Sequence, residues 1–128
     1  MQSAPSGTPL SLQAGATAGF GLVTVRGEID FTNHAWVEER LTEALGTART
    51  ALILDLGELR YCDSSAIAAL MRVSRLAQSR GLLLELVGVG GRVQQILHHT
   101  GLDRHLHIHP DEAAAIRWLQ SGDEGSAS

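Results

Sequence analysis

Apolar residues recur along this 128-residue chain with two periods, and the switches between them lay out its elements. Leu10, Leu12 and Ala14 repeat every second residue, the spacing of a short edge strand, and Gly15 to Gly19 follows as a turn. Phe20 to Arg26 alternates again, with Leu22 and Val23 adding bulk, and reads as a stronger strand. Ala51 to Leu54 is a short apolar run expected to be a buried strand, with a turn region over Asp55 to Cys62. Leu82 to Val87 is almost continuously apolar, as in a strand covered on both faces. Leu102 to His109 contains a short alternating segment.

Between these runs the period lengthens to that of a helix. Thr32 is the expected N-cap of a first helix, with Phe31 and Trp36 at the positions of a hydrophobic staple. Val37, Leu41, Ala44, Leu45 and Ala48 form its inward stripe, and Glu38, Glu39, Arg40 and Glu43 point outward. A second helix opens at Asp63-Ser64-Ser65, where the Asp63 carboxylate can accept from free N–H groups of the first turn. Ala66, Ala69, Leu70, Val73, Leu76 and Ala77 fall in one arc of roughly 120° and form its buried stripe. Ser64, Ala68, Met71 and Arg75 lie on the opposite side. Gly81 is expected just past its end. A third helix runs from Arg92 to His99, and Pro110 begins a last one through Leu119.

Strands and helices in alternation imply parallel crossovers, and the first two strands are close enough to form an antiparallel hairpin. The expected fold is therefore α/β, a mixed sheet of four or five strands with about four helices packed on it. One domain over residues 10–119 is expected, between a flexible arm at 1–9 and a flexible tail at 120–128.

Composition narrows the function classes. Hydrophobic residues make up 44%, which suits a folded core, and the formal net charge is −4 with no basic block. That balance argues against nucleic acid, whose phosphates need a clustered positive field. No apolar run reaches the length of a membrane span, no secretory signal is evident, and the single cysteine, Cys62, cannot form an internal disulfide. The expected location is the cytoplasm, with no membrane partner.

Three kinds of chemistry are weighed and set aside. Gly88, Gly90 and Gly91 stand between a strand and a helix, but Val93 occupies the last glycine position of a dinucleotide fingerprint and no Gly-Lys-Ser/Thr follows, so a tight turn is the better reading. No cofactor and no small-molecule ligand are expected. His105, His107 and His109 would share one strand face, but they are too widely spaced for one tetrahedral ion, and no cysteine lies near. A half-buried strand with Leu106 and Ile108 inward explains them. Ser64 lies outside any Gly-x-Ser-x-Gly pattern and lacks an identified base, so a hydrolase nucleophile is disfavoured and no enzymatic activity is expected. Cys62 reads as a small core residue. An exposed hydroxyl at a helix N-terminus, above a stripe holding a methionine, suits a phosphorylation switch better than catalysis.

The order of the motifs carries a resemblance. Gly27-Glu28-Ile29-Asp30 after a strand resembles the Gly-Glu-[Leu/Ile]-Asp of STAS domains, and Leu54-Asp55-Leu56 through Asp63-Ser64-Ser65 is similar to their phosphorylation segment. Leu86-x-Gly88, Val93, Leu97 and Gly101-Leu102 resemble the remainder, so the likeness covers about Leu10 to Leu119. Among STAS domains the chain is most similar to bacterial anti-sigma factor antagonists. The resemblance implies a STAS fold and a cytoplasmic protein that binds an anti-sigma factor when unphosphorylated, freeing the sigma factor. It implies phosphorylation of Ser64, less so of Ser65, by the anti-sigma factor acting as a serine kinase, and reversal by a serine phosphatase. Asp30, Asp63, Ser64, Ser65, Ala68, Met71 and Arg75 are the expected partner-binding residues. Ala66 stands where many members have glycine, which is expected to narrow access for a kinase. The alternative implied is a STAS scaffold subunit of a lipid-transport or stress-signalling assembly without a phospho-switch.

Overall fold

The alternating residues of Leu10–Thr17 and Phe20–Ile29 become β2 and β3 of a computed structural model that describes residues 1–126. They pair antiparallel, Leu12 opposite Val25 and Ala14 opposite Val23, around a turn in which Ala18 and Gly19 take positive φ. Ahead of them Gln2–Ser3 forms β1, pairing with Ser11 and Leu12. With β4 (Ala51–Cys62), β5 (Leu83–Val87) and β6 (His107–His109) the sheet has six strands in chain order. The four or five expected from the pattern fall short because β1, two residues long, has no period of its own to read. From β3 to β6 every pairing is parallel.

β4 corrects the turn expected over Asp55 to Cys62. The segment continues as strand because it pairs with β3 as far as Ile29 opposite Cys62, with irregularities between Thr24 and Arg26 and between Gly27 and Glu28. Those breaks in register absorb the glycine and charged residues that look like a turn in sequence. Leu56, Leu59 and Cys62 are the buried positions of this extension. Gly27 sits at φ +113°, and a Cβ there would lie 2.2 Å from the Pro9 carbonyl oxygen. Only glycine allows that approach, which brings the Glu28 N–H within 2.8 Å of Pro9 O.

Among the described residues four α-helices, α1 (His34–Thr47), α2 (Ser64–Ser79), α3 (Gly91–His99) and α4 (Glu112–Ser126), pack against the sheet. Val37, Leu41 and Leu45 of α1 and Ala66, Ala69, Leu70, Val73 and Ala77 of α2 are buried as the helical period predicts. Ile67 and Ser74 of α2 are buried as well, while Leu76 is half-buried. The N-cap of α1 is Asn33, not Thr32, and it makes no side-chain cap bond. Its amide is used elsewhere, accepting from the Asp30 N–H and donating to the Glu28 carbonyl. Phe31 accordingly stands exposed and forms no buried staple with Trp36. Arg80 is the C-cap of α2 and Gly81 follows at φ +69°, the left-handed conformation expected there. α4 continues past Leu119 to Ser126.

The strand period divides the core between the two sheet faces. In β4, Leu52 and Leu54 join the cluster under α1, α2 and α3, whereas Ala51 and Ile53 pack with Val87 beneath Ala115 and Leu119 of α4. Each of the buried Leu, Ile and Val side chains among them contributes about 1.5–3 kcal/mol on burial. β5 follows the same rule, so Glu85 lands on the α4 face, and it is 0% exposed. Its two oxygens bond the rings of His107 (Nδ1) and His109 (Nε2), each at 2.8 Å. Trp118 of α4 lies over both rings, with centroids 4.2 and 5.7 Å away. Leu106 is buried and Ile108 half-buried, as expected of a half-buried strand, while His105 precedes it. Among the described residues, no group of three such side chains is arranged to hold a metal ion.

The glycines of the β5–α3 turn answer to a close approach. A Cβ on Gly88, at φ +69°, would lie 3.1 Å from the Gly57 Cα. The β5–α3 turn therefore packs its backbone directly on that of β4 there.

Candidate functional site

β3 and β4 end side by side, with the Asp63 N–H donating to the Ile29 carbonyl at 3.3 Å. The segments that leave them, 30–33 and 63–66, are thereby neighbours at the C-terminal edge of parallel strands, where open α/β sheets present their sites.

Asp63 joins the two segments. Its backbone is extended, as an N-cap requires, and its Oδ1 accepts from the Ala66 N–H at 3.1 Å. Its other oxygen, Oδ2, accepts from the Phe31 N–H at 3.1 Å. Ser64 is the first helical residue and is exposed, whereas Ser65 is half-buried. No hydrogen bond joins Ser64 to a histidine among the described residues. Ala66 is fully buried in the core, so its methyl does not stand on the surface that a kinase would meet.

Asp30 lies in the adjoining segment but turns its carboxylate away. It accepts from the Thr32 hydroxyl and N–H and from the Thr8 hydroxyl. The Thr32 hydroxyl bond holds its carboxyl below the usual range, helped by the Thr32 N–H and Thr8 and opposed by partial desolvation. Among the described residues, Asp30 makes no hydrogen bond to Asp63, Ser64 or Ser65; the link runs through the next residue, Phe31. Cys62, just before the cap, is buried. Burial first, then the negative charge of Asp63, pushes its thiol up, which keeps it protonated and poorly nucleophilic.

Down α2 the expected stripe is graded. Ala68 and Met71 are half-buried and Arg75 is exposed. Met71 packs against the core, and the Arg75 guanidinium lies 3.6 Å from its sulfur. Both line a cleft of about 140 Å³ that Thr100, Gly101 and His105 close on the other side. Met71 is thus more enclosed than a helical wheel predicts, because the wheel omits the segment that follows α3. The structure brings Asp30, Asp63, Ser64 and Ser65 to one edge and sets Ala68, Met71 and Arg75 along the helix behind them. Phe31, exposed and bonded through its N–H to Asp63, also stands at this edge. Its signal in the sequence is a large apolar residue inside a polar turn, a position that also fits the staple pattern.

Chemically, the edge offers an accessible hydroxyl at a helix N-terminus. The Ser64 and Ser65 N–H groups have no partner among the described residues, so the first turn can receive an anion.

Comparison with known proteins agrees with this architecture. A 26% identical relative over 105 residues, covering 81% of this chain and 84% of the relative, is the anti-sigma-F factor antagonist RsfB of Mycobacterium tuberculosis. Among solved structures, an anti-sigma factor antagonist from Mycobacterium paratuberculosis superposes with a TM-score of 0.76 at 22% identity, covering 93% of this chain and 99% of that one. The phosphorylated form of the Bacillus cell fate determinant SpoIIAA superposes with a TM-score of 0.63 at 19% identity, over 84% of this chain and 98% of that one. The STAS domain profile matches residues 11–115, and with the six-stranded mixed sheet and its helices this establishes that the chain belongs to the STAS domain family.

Proposed function

We propose that this protein is an anti-sigma factor antagonist, active when Ser64 carries a free hydroxyl and switched off when that hydroxyl is phosphorylated. The observation that carries the reading is the position of Ser64: exposed, first in α2 and directly after the capping Asp63. The 26% identical relative named an anti-sigma-F factor antagonist supports the role, and the phosphorylated SpoIIAA neighbour supports the kind of modification.

The unmodified protein covers its anti-sigma partner with Ser64, Ser65, Ala68, Met71 and Arg75, and the sigma factor is released. The partner's kinase activity transfers the γ-phosphoryl group of ATP to Ser64 Oγ. ADP leaves, and the hydroxyl proton passes to a base on the kinase. Phosphate adds close to two negative charges beside Asp63. The free helix N–H groups tolerate it in the isolated domain, so the fold survives. An interface that had buried the bare hydroxyl would have to desolvate the dianion, and binding is lost. A serine phosphatase restores the active form. The proposed setting is the cytoplasm; among the described residues no helix is long and apolar enough to cross a membrane.

The test is radiolabel transfer from ATP in the presence of the anti-sigma kinases of the same genome, with intact-mass detection. Wild type and Ser65→Ala are labelled; Ser64→Ala is unlabelled and stays bound to the partner. Labelling that persists in Ser64→Ala and vanishes in Ser65→Ala places the switch on Ser65 and overturns the assignment to Ser64. No labelling of wild type favours a scaffold subunit instead.

A further inference from the structure

A phenylalanine in a turn ordinarily buries its ring. Phe31 is 74% exposed, more than any other large hydrophobic residue left at the surface of the described chain. Looseness does not account for this. Three consecutive backbone N–H groups are each held by a side-chain oxygen: Asp30 N–H by Asn33 Oδ1 at 2.9 Å, Phe31 N–H by Asp63 Oδ2 at 3.1 Å, and Thr32 N–H by Asp30 Oδ1 at 2.9 Å. Asn33 is itself buried. The ring is therefore displayed from a backbone that is pinned before anything docks. An aromatic ring on a pre-ordered backbone, exposed when alone and desolvated in a complex, is the form that interface anchors take.

The question is what covers it, and Asp63 answers. One carboxylate holds the Phe31 N–H with Oδ2 and the first turn of α2 with Oδ1. The residue that carries the switch hydroxyl is next in the chain. Phe31 and Ser64 thus stand on either side of one linking side chain, and a protein that reads Ser64 would meet both segments.

Resting on the function proposed above, we infer that Phe31 is an apolar anchor for the anti-sigma partner, which presents an apolar recess beside the site that receives Ser64. Asp63 is the positioning residue that holds the anchor in place. Phosphorylation then acts on the same surface twice, by placing charge at Ser64 and by setting that charge against the carboxylate that tethers Phe31.

The experiment is calorimetric titration of the unphosphorylated full chain with each purified anti-sigma kinase of the same genome, with thermal midpoints recorded alongside. Phe31→Ala is expected to weaken binding roughly tenfold or more, and Phe31→Leu to recover most of it. Neither changes the midpoint appreciably, because the ring contributes little to the core. Asp63→Ser keeps a helix cap but cannot reach two N–H groups at once. It is expected to keep the midpoint near wild type and to weaken binding about threefold or more. Phe31→Ala within about twofold of a wild type that binds overturns the anchor and leaves the proposed function standing. Wild-type affinity in Asp63→Ser overturns the positioning role. A wild type that binds no anti-sigma kinase overturns the proposed function and this inference with it.

Discussion

Glu85 is a carboxyl group sealed on the α4 face of the sheet, and removing it tests how the sheet edge is held. Each of its oxygens takes one imidazole nitrogen at 2.8 Å. In Glu85→Ala, the side chain of His107, 47% exposed, can turn to water, but that of His109, 12% exposed, cannot. An unpaired buried donor costs about 1–3 kcal/mol. The void left by the shortened side chain adds about 1 kcal/mol. The expected loss is therefore about 2–4 kcal/mol. Glu85→Leu fills the void and removes the desolvated carboxyl, so it should lose less than Glu85→Ala. The assay is urea unfolding at pH 7, comparing midpoints at constant slope. A cycle with His109→Leu should give a coupling of about 1 kcal/mol or more, since the pair is in direct contact. Glu85→Ala within about 0.5 kcal/mol of wild type, or a coupling near zero, would refute the reasoning.

Two further outcomes follow from the fold. Gly27→Ala forces a Cβ to within 2.2 Å of the Pro9 carbonyl oxygen at φ +113°. It should cost about 2 kcal/mol or more in the same urea assay, and a change under about 0.5 kcal/mol would show that the β2 and β3 backbones part freely. Asp30, whose carboxyl is held below its ordinary value chiefly by the Thr32 hydroxyl, adds stability that is present above the unfolded-state pKa and lost as pH falls through the lower folded-state value. In acid titrations below about pH 4, Asp30→Asn should therefore show a shallower fall in stability than wild type, and parallel curves would contradict that.

The features legible in the sequence are those that close within a few residues. Asp63 caps the helix it begins because its carboxylate meets an N–H three positions on, and Gly81 ends the same helix by a local backbone preference. The 3.6-residue period of α2 and the alternation of β2 and β3 place most of the core, because burial follows side-chain direction. The parallel order of β3, β4 and β5 follows from the helices between them. What the tertiary structure alone decided rests on contacts distant in sequence. β4 runs through an apparent turn because β3 supplies its hydrogen-bonding partners, and β1 exists only against β2. Glu85, a charged interruption in an apolar run, becomes intelligible only when His107 and His109 arrive across the sheet. The tether between Phe31 and Asp63 spans 32 positions. Periodicity reports which way a side chain points from its own backbone; which group meets it there depends on where another segment comes to rest.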